Sequence, residues 1–385
     1  MRNRFTSILS HFYPILVGFL IISCKQEQKS TTEFSGGKEV EISHAEGFEI
    51  INYPDFSIIT VTEAFPDSDV TYRYALLKNS KLLSDSIKVD VVVNIPVKSI
   101  VVTSTTHIPS LEMLGVENTL KGFPNLDYIS SEKTRALIDA GKIKELGQNE
   151  SINTETTINL DPELVVSFGV KGENKSLASL DRAGIPVVYN GDWVESSPLG
   201  KAEWIKFFAA FYDKQEIADS IFNSIVKNYD EIKQKVAKTS EKPTVLSGAM
   251  FKDVWYMPRG DSWAAQLIAD AHGDYLYKKT SGTGSLSLSL EEVLDNAQQA
   301  DFWIAPNAFE SYGALKNANE VYTKFKAFQE HKIYGFGSKK GATGGMLYYE
   351  IAPNRPDWVL NDIANILHPG LFPDYKPHFY SPLEQ

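Results

Sequence analysis

The sequence predicts an α/β fold of two lobes, each with a mostly parallel sheet flanked by helices, joined by one long rigid helix. Short β-branched runs alternate with helical segments after Pro96, and this alternation is typical of parallel sheets that helices cover on both faces. A long helical pattern separates two such stretches. The length of 385 residues also exceeds what one hydrophobic core usually supports, so two lobes are expected.

An additional N-terminal β-meander is predicted before Pro96. Apolar and polar residues alternate there in three runs, at residues 56–62, 71–77 and 89–93. Turn-forming residues, among them the segment 66–69, separate the runs. This pattern favours short strands joined by turns.

Strand and helix patterns then repeat on both sides of the long helix. The first repeat predicts strands at 100–103, 164–168 and 185–189, and helices at 109–114 and 177–183. The second predicts strands at 244–247, 254–257, 301–305 and 332–336, and helices at 262–271, 290–296 and 355–367. Gly115, Gly184 and Gly273 follow three of these helices, where glycine commonly ends a helix.

Between the repeats, helices are predicted at 199–211 and 214–237, with Asp213 as the N-cap of the second. The second helix carries one apolar stripe at helical spacing, formed by Ile217, Ile221, Ile225, Ile232 and Val236. A helix of this length would connect the two lobes stiffly.

The N-terminus predicts export and lipidation. Arg2 and Arg4 precede an apolar run at 15–22, and Cys24, the single cysteine, directly follows Ser23. This order is typical of a secretory signal peptide and resembles the lipobox of bacterial lipoproteins. The apolar run is shorter than the roughly 20 residues that span a bilayer. We therefore expect cleavage before Cys24 and a lipid anchor on Cys24, with the protein in the cell envelope facing the periplasm or the exterior.

These patterns give a set of domain boundaries. We expect a signal peptide at 1–23, a lipidated flexible tether at 24–47, an N-terminal lobe at 48–197, linking helices at 198–240 and a C-terminal lobe at 241–385. Within the N-terminal lobe, the meander occupies 48–95 and the α/β part 96–197.

Composition narrows the classes of partner. The formal net charge is −11, whereas nucleic-acid binding requires a basic face. Hydrophobic residues make up 43% of the chain, enough to build cores without a disulfide. No zinc-binding spacing and no His-Glu-x-x-His motif occurs. We expect a monomer with no nucleic-acid partner, no resident cofactor and no metal held directly by the protein.

Several stretches resemble the substrate-binding proteins of ABC importers for iron complexes and cobalamin. Residues 98–115 are similar to the opening strand, polar loop and first helix of that family, and residues 153–166 to its helix followed by a Pro-Asp-Leu-Val strand. Residues 183–188 match the next strand, and residues 289–294 with 300–304 repeat the helix-strand pattern. The resemblance covers residues 96–369. It implies two lobes on one long helix, a metal chelate held between them, and delivery of that chelate to a membrane permease.

Ligands of open α/β sheets lie beyond the carboxyl ends of the strands. This rule, with the family resemblance for Arg355, predicts a set of cleft residues: Thr105, Thr106, His107, Gly169, Asp192, Trp193, Trp255, Tyr256, Arg259 and Arg355. Aromatic rings stack on flat chelates and arginine pairs with anionic oxygens. The alternative is that Trp255 and Tyr256 are packed core residues and that Arg259 is solvated. The two arginines favour a ferric siderophore over cobalamin as the ligand, and haem stays an alternative. The metal is expected inside the chelate.

His107 has two interpretations. In the resembled family it would be an axial ligand of haem iron. The alternative is a polar loop histidine that makes a hydrogen bond, because no partner histidine or tyrosine stands at a defined spacing.

Glu155 and Glu291 occupy matching positions near helix starts in the two repeats. The resemblance implies that such glutamates dock each lobe onto arginines of the permease. The alternative is that each only stabilises its helix through the helix dipole.

Two other functions are alternatives to a transport receptor. An exported α/β hydrolase requires a Gly-x-Ser-x-Gly elbow, and Val245 stands where the first glycine would precede Ser247. The other alternative is a surface lipoprotein that only binds a partner protein. The sequence predicts a solute-binding lipoprotein rather than an enzyme.

Overall fold

The computed structural model describes residues 36–66, 68–78, 88–149, 151–169 and 174–385, and in them sheets and helices alternate in the predicted order. Residues Gly36–Gln385 form one compact unit. Cys24 and the predicted signal peptide lie outside the described residues. Within the described residues, no helix combines the length and the apolar character needed to cross a membrane.

An N-terminal sheet confirms the predicted meander. Its strands are β1 (Lys38–Glu39), β2 (Phe48–Asn52), β3 (Phe56–Val61), β4 (Tyr72–Leu77) and β5 (Val91–Asn94). They lie in chain order and are antiparallel, except that β5 runs parallel to β4. Ile50, Ile59 and Tyr74 are buried, so the alternating pattern supplies one apolar face to the core.

The segment before β2 is fixed to the rest of the protein. The backbone N–H groups of Ser43, His44 and Ala45 donate to the buried Glu203 carboxylate at 2.7–3.1 Å. The N–H groups of residues 46 and 47 donate to Glu195. The flexible tether was predicted to extend over 24–47. Its last part, residues 43–47, is instead held in place, because two buried carboxylates bind its backbone.

The first α/β sheet is entirely parallel. Its strands are β6 (Ile100–Val102), β7 (Leu120–Phe123), β8 (Lys144–Glu145), β11 (Leu164–Phe168) and β12 (Val187–Asn190), in the order β12-β11-β6-β7-β8, while β9 (Gly147–Gln148) and β10 (Ser151–Ile152) form a hairpin. Val101 pairs with Val165, which pairs with Val187, and all three are buried. The β-branched runs fill the interior as predicted.

The helices of this region cover the sheet. They are α1 (His107–Met113), α2 (Glu132–Asp139), α3 (Thr154–Leu160) and α4 (Lys175–Arg182). Short 3₁₀ helices lie at Glu117–Thr119 and Leu126–Tyr128. The N-terminal sheet, this parallel sheet and their helices are called the first lobe below.

The linking region contains three helices. The predicted helix at 199–211 is divided into α5 (Pro198–Glu203) and α6 (Ile205–Ala210), and α7 (Gln215–Val236) follows. The 22 residues of α7 span about 33 Å. Asp213 is not the N-cap, because its φ is 54° and its carboxylate pairs with Lys78. Of the predicted stripe, Ile225, Ile232 and Val236 are buried but Ile217 is 44% exposed.

The second lobe, residues 241–385, contains a second parallel sheet. Its strands are β13 (Thr244–Ser247), β16 (Asp274–Tyr275), β18 (Phe302–Ile304) and β19 (Ile333–Gly335), with antiparallel β20 (Ser381–Pro382) at one edge. A separate antiparallel sheet consists of β14 (Ala249–Phe251), β15 (Val254–Pro258) and β17 (Ser285–Leu288). The predicted strand at 254–257 therefore belongs to this small sheet and not to the parallel one.

Helices cover the second parallel sheet as they cover the first. They are α8 (Trp263–Asp270), α9 (Leu290–Ala297), α10 (Tyr312–Ala318), α11 (Lys326–Gln329), α12 (Leu347–Ile351) and α13 (Pro356–Leu367). Short 3₁₀ helices lie at Glu320–Lys324 and Ala352–Asn354. The longest of these helices, α13, packs along α7.

Hydrogen bonds join the two lobes directly. The Glu350 carboxylate accepts from the backbone N–H groups of Ser130 and Ser131 at 2.6 and 3.0 Å. Asn354 accepts from the Ser110 hydroxyl and donates to the Thr106 carbonyl, both at 2.8 Å. These contacts fix the lobes relative to each other in addition to α7.

Candidate functional site

A cavity of about 480 Å³ opens in the second lobe at the carboxyl ends of three parallel strands. Ser247 ends β13, Ile304 ends β18, and Phe336 follows β19, and all three line the cavity. This is the edge at which open α/β sheets bind ligands, because the loops there converge. The volume lies in the range of about 300–1,000 Å³ that is usual for small-molecule sites.

Gly248 shapes the entrance to this cavity. It follows β13 with a φ of +76°, and a Cβ atom built there would lie 1.9 Å from the Tyr256 carbonyl oxygen. Only glycine combines that backbone conformation with so close an approach. The chain can therefore leave β13 and place the small sheet of β14, β15 and β17 over one side of the cavity.

Aromatic rings form another side of the cavity. Phe336 and Tyr348 stack with centroids 4.3 Å apart and an interplanar angle of 8°. Trp263 stacks on Tyr348 at 6.0 Å, and Tyr380 meets Phe336 edge-on at 5.9 Å. Helix α8 presents Trp263 here because its N-cap Ser262 accepts from the Ala265 N–H. We call Trp263, Phe336, Tyr348 and Tyr380 the aromatic wall.

The predicted second-lobe site residues are divided between the cavity and other environments. Tyr256 lines the cavity and is 41% exposed. Trp255, its neighbour on β15, is fully buried, stacks on Trp303 at 5.3 Å, and donates from Nε1 to the Ser247 carbonyl. The alternation of a strand explains why adjacent residues have opposite environments.

The two predicted arginines are bonded locally. Arg259 donates to the carbonyls of Ser281 and Ser285 at 3.0 and 3.3 Å. Arg355 makes a bidentate pair with Asp357 at 2.7 and 2.8 Å, and its guanidinium lies 3.6 Å above the Trp358 ring. Neither arginine is among the described residues that line the cavity.

The predicted first-lobe residues gather at the carboxyl edge of their own sheet. The Thr106 hydroxyl donates to Asp192 at 2.6 Å, and Trp193 donates from Nε1 to the Gly169 carbonyl at 3.1 Å. Thr105 lies in the turn that begins α1, where its carbonyl accepts from the Ile108 N–H. None of these residues lines the cavity described above. The Asn354 bond to Thr106 brings the group next to the second lobe.

His107 is completely buried beside Phe208, with ring centroids 5.2 Å apart. Burial lowers the pKa of this histidine, and the nearby Asp192 carboxylate opposes the shift. His107 therefore lies in the core of the first lobe and remains neutral at physiological pH.

Lys201, which was not predicted from the sequence, connects the first-lobe group to the aromatic wall. Its ammonium donates to the carbonyls of Asp192 and Trp193 at 3.0 and 2.9 Å and lies 5.7 Å from the centre of the Trp263 ring. Burial lowers the pKa of Lys201 to about 8, although Asp192 and Glu195 favour the charged form. A lone lysine in a helical pattern gives no signal of such a position.

Most of the aromatic wall was likewise not predicted from the sequence. Phe336, Tyr348 and Tyr380 come from the last fifty or so residues of the chain, outside the strands to which the carboxyl-end rule was applied. The high density of tyrosine and phenylalanine in that segment was the available signal, since aromatic side chains dominate many ligand sites.

Glu155 and Glu291 occupy equivalent places in the two lobes. Each is exposed and lies in the first turn of a helix, α3 or α9, capped by Asn153 or Ser289. Each helix leads into a strand, β11 or β18, that pairs in parallel with the first strand of its sheet. Neither glutamate forms an ion pair within the part of the chain that the structure describes.

Direct metal binding has no evident donor set in the described ranges. Among those residues, no group of three or more His, Cys, Asp or Glu side chains converges in a way that could hold a metal ion.

Comparisons with known proteins agree with this architecture. The chain is 28% identical to an uncharacterized lipoprotein, MJ0878, of Methanocaldococcus jannaschii, over 81% of this chain and 76% of the relative. Solved structures with the same fold include an ABC-type Fe³⁺-hydroxamate transport system protein of Saccharomonospora viridis, with a TM-score of 0.55, 16% identity, and coverage of 80% of this chain and 98% of that chain. They also include the periplasmic heme binding protein HutB of Vibrio cholerae, with a TM-score of 0.54, 17% identity, and coverage of 68% and 99%.

A family model described as periplasmic binding protein matches residues 100–339. The match runs from β6 in the first lobe through α7 and beyond β19 in the second. It confirms the family resemblance seen in the sequence. The chain belongs to the periplasmic binding protein family, the solute-binding proteins of ABC transporters, which are not enzymes.

Proposed function

We propose that this protein is a lipid-anchored receptor that captures an iron complex and delivers it to an ABC permease. The preferred ligand is a ferric siderophore, and haem and cobalamin are the alternatives. The observation that carries the proposal is the cavity at the carboxyl edge of the second sheet. Its aromatic wall offers ring faces and edges to a large chelate, and its hydroxyl groups offer hydrogen bonds. The metal would arrive within its own ligand shell.

The cavity lies where a ligand could contact both lobes. Trp263 belongs to the aromatic wall, and Lys201 of the linking helix α5 lies against its ring. A chelate in the cavity would therefore lie close to the first-lobe group of Thr106, Asp192 and Trp193. These three residues remain proposed contacts.

A thermal-shift screen tests the binding step. Ferric trihydroxamate, haemin and cyanocobalamin are each added to the protein, and the unfolding midpoint is recorded. A ligand at a hundred times its dissociation constant stabilises the folded state by about 2.7 kcal/mol, which raises the midpoint measurably. Failure of all three to raise the midpoint would contradict the proposal.

We further propose that Glu155 and Glu291 dock the two lobes onto basic residues of the permease. The two exposed carboxylates lie at equivalent positions and place one negative charge on each lobe. Complementary charges on the permease would set the orientation in which the two proteins dock. The absence of an ion pair at either glutamate within the described chain leaves both free for a partner.

Charge reversal tests the docking step. The double variant Glu155→Lys, Glu291→Lys is expected to bind its ligand as the wild type does but to lose transport in cells. The matched control is Glu132→Lys, Glu216→Lys, which reverses two other exposed first-turn glutamates, on α2 and α7. Equal transport by wild type and by the Glu155, Glu291 variant would show that docking does not use these residues.

The proposed lipid anchor has its own test, since Cys24 lies outside the described residues. Cys24→Ser is expected to abolish incorporation of labelled palmitate and to release the protein from membranes. Stable membrane attachment commonly needs more than one acyl chain, as a modified N-terminal cysteine would carry. Unchanged palmitate labelling of Cys24→Ser would contradict the anchor.

A further inference from the structure

We infer that the second lobe selects complexes that present an uncharged, partly apolar face, and that it discriminates against anionic complexes. This inference rests on the proposed function, because it names the class of iron complex or corrinoid that the same cavity accepts. It also differs from the expectation that arginines would pair with anionic oxygens.

The lining of the cavity is electrically neutral. No described residue that lines it is Asp, Glu, Lys, Arg or His. Its polar groups are hydroxyls, such as those of Ser247 and Ser262, the amide of Asn307, and backbone groups. Transferring a charged group into such a site without a charged partner costs far more than transferring a hydrogen-bonded neutral group. An anionic ligand would therefore lose its hydration without compensation.

The tyrosines of the cavity do not supply a hidden charge. Burial raises the pKa of Tyr348 far above its ordinary value, although a hydrogen bond with Tyr380 opposes the shift. Burial also raises the pKa of Tyr380 and of Tyr349. All three remain neutral hydroxyl groups at physiological pH, so they donate or accept hydrogen bonds without acting as phenolates.

Three cationic side chains that lie beside lining residues of the cavity have contacts of their own. Arg259 donates to the carbonyls of Ser281 and Ser285, and Lys201 donates to those of Asp192 and Trp193. Lys252 is exposed and lies 5.6 Å above the ring of Phe251 at the cavity mouth. Water and salt screen a charge in that position. None of the three is arranged to form a buried pair with an anion in the cavity.

Exposed aromatic side chains surround the mouth of the cavity. Phe251 is 60% exposed, Tyr349 is 51% exposed, and Tyr256 is 41% exposed, and all three line the cavity. A cluster of exposed large apolar side chains commonly marks a binding surface. The mouth and the aromatic wall thus present apolar surface to the same ligand.

Titration with uncharged and with anionic complexes tests the inference. The protein is titrated with two complexes that have no net charge, ferric trihydroxamate and cyanocobalamin, and two anionic ones, ferric tris-catecholate and haemin. The tighter uncharged complex is expected to bind at least about tenfold more tightly than either anionic complex, which corresponds to about 1.4 kcal/mol. An anionic complex that binds as tightly as the best uncharged one would overturn the inference while leaving the proposed function intact. Failure of all four to bind would overturn the proposed function and the inference with it.

A charge placed at the mouth gives a second readout. Tyr349→Arg is expected to reduce the preference for the uncharged complexes at least about threefold, because the new cation attracts the anionic ones. The control is Ile217→Arg, which adds the same charge at a residue on α7 that is 44% exposed and outside the cavity. An equal change of preference in both variants would show that the effect is a general change of net charge, and it would contradict the inference.

Discussion

Glu350 gives the protein a pH-dependent stability that one substitution can isolate. Its carboxylate is 1% exposed and accepts two backbone N–H groups from the first lobe. Burial raises the pKa of Glu350 from 4.5 to about 7, and the Glu112 carboxylate adds to the shift, while the bonds from Ser130 and Ser131 oppose it. The folded protein therefore binds the proton of Glu350 more tightly than the unfolded chain does.

The sign of the effect follows from this difference. The contribution of Glu350 to stability is complete below pH 4.5 and is lost as the pH rises through 7. A shift of this size corresponds to a loss of about 3 kcal/mol in the free energy of unfolding, since each pKa unit equals about 1.36 kcal/mol. The histidines His107, His368 and His378 have lowered pKa values and act in the opposite direction at acidic pH. A comparison of variants removes their contribution.

The comparison is between wild type and Glu350→Gln, unfolded with urea at several pH values from 4 to 8. The amide does not titrate and changes stability by a constant amount. Relative to that variant, the wild type is expected to lose about 3 kcal/mol across the range. Glu145→Gln is the matched control, because Glu145 accepts from the N–H groups of Asn125 and Leu126 at the exposed surface. A constant difference between wild type and Glu350→Gln would refute the reasoning.

Two further substitutions test other parts of the structure. Glu203→Ala is expected to destabilise the protein by about 3–5 kcal/mol, because it removes the buried partner of the Lys206 ammonium and frees residues 43–45. Asp219→Asn, which removes only the half-exposed partner of Lys206, should cost much less in the same urea titration. Gly248→Ala is expected to lower the unfolding midpoint and weaken ligand binding, because the new Cβ would overlap the Tyr256 carbonyl. Gly370→Ala is the control, because Gly370 has a φ of +100° with open space around it, so this substitution adds backbone strain without a steric overlap. An equal fall of the unfolding midpoint in the two variants would contradict the steric argument.

The order of strands and helices was accessible from the sequence because burial on both faces leaves a strong signal. The runs at β6, β11 and β18 are almost continuously apolar, and each was predicted, as was β13 with its two central apolar residues. Strand β7 was missed, because Lys121 and Gly122 interrupt its apolar pattern. The pairing of β15 with β14 and β17 was also missed, since an alternating run does not specify its partners.

The site was harder to predict than the fold. The rule about strand ends predicted a site at the carboxyl edge of each sheet, and Tyr256, one of the residues it named, lines the cavity. The rule gives no information on where a long side chain finds its hydrogen bonds. Arg355 pairs with Asp357, only two residues away, and Arg259 bonds to nearby carbonyls. Such contacts depend on loop geometry, which a pattern of residue types does not encode.

Glycines in the segment 341–345 illustrate the same limit. Their spacing in the sequence does not indicate which part of the chain they contact. In the structure, a Cβ atom on Gly341 would lie 2.7 Å from the Ser130 Cα atom, and one on Gly345 would lie 2.7 Å from the Ser130 hydroxyl. The absence of side chains there allows the two lobes to meet, a contact between residues more than 200 positions apart.

A crystal structure of the protein with bound ligand tests the central claim most directly. The protein would be crystallised with whichever of ferric trihydroxamate, haemin and cyanocobalamin raises its unfolding midpoint most. We predict ligand density in the cavity at the ends of β13, β18 and β19, in contact with the aromatic wall of Trp263, Phe336, Tyr348 and Tyr380. Density for the ligand elsewhere on the protein, with this cavity empty, would contradict the account.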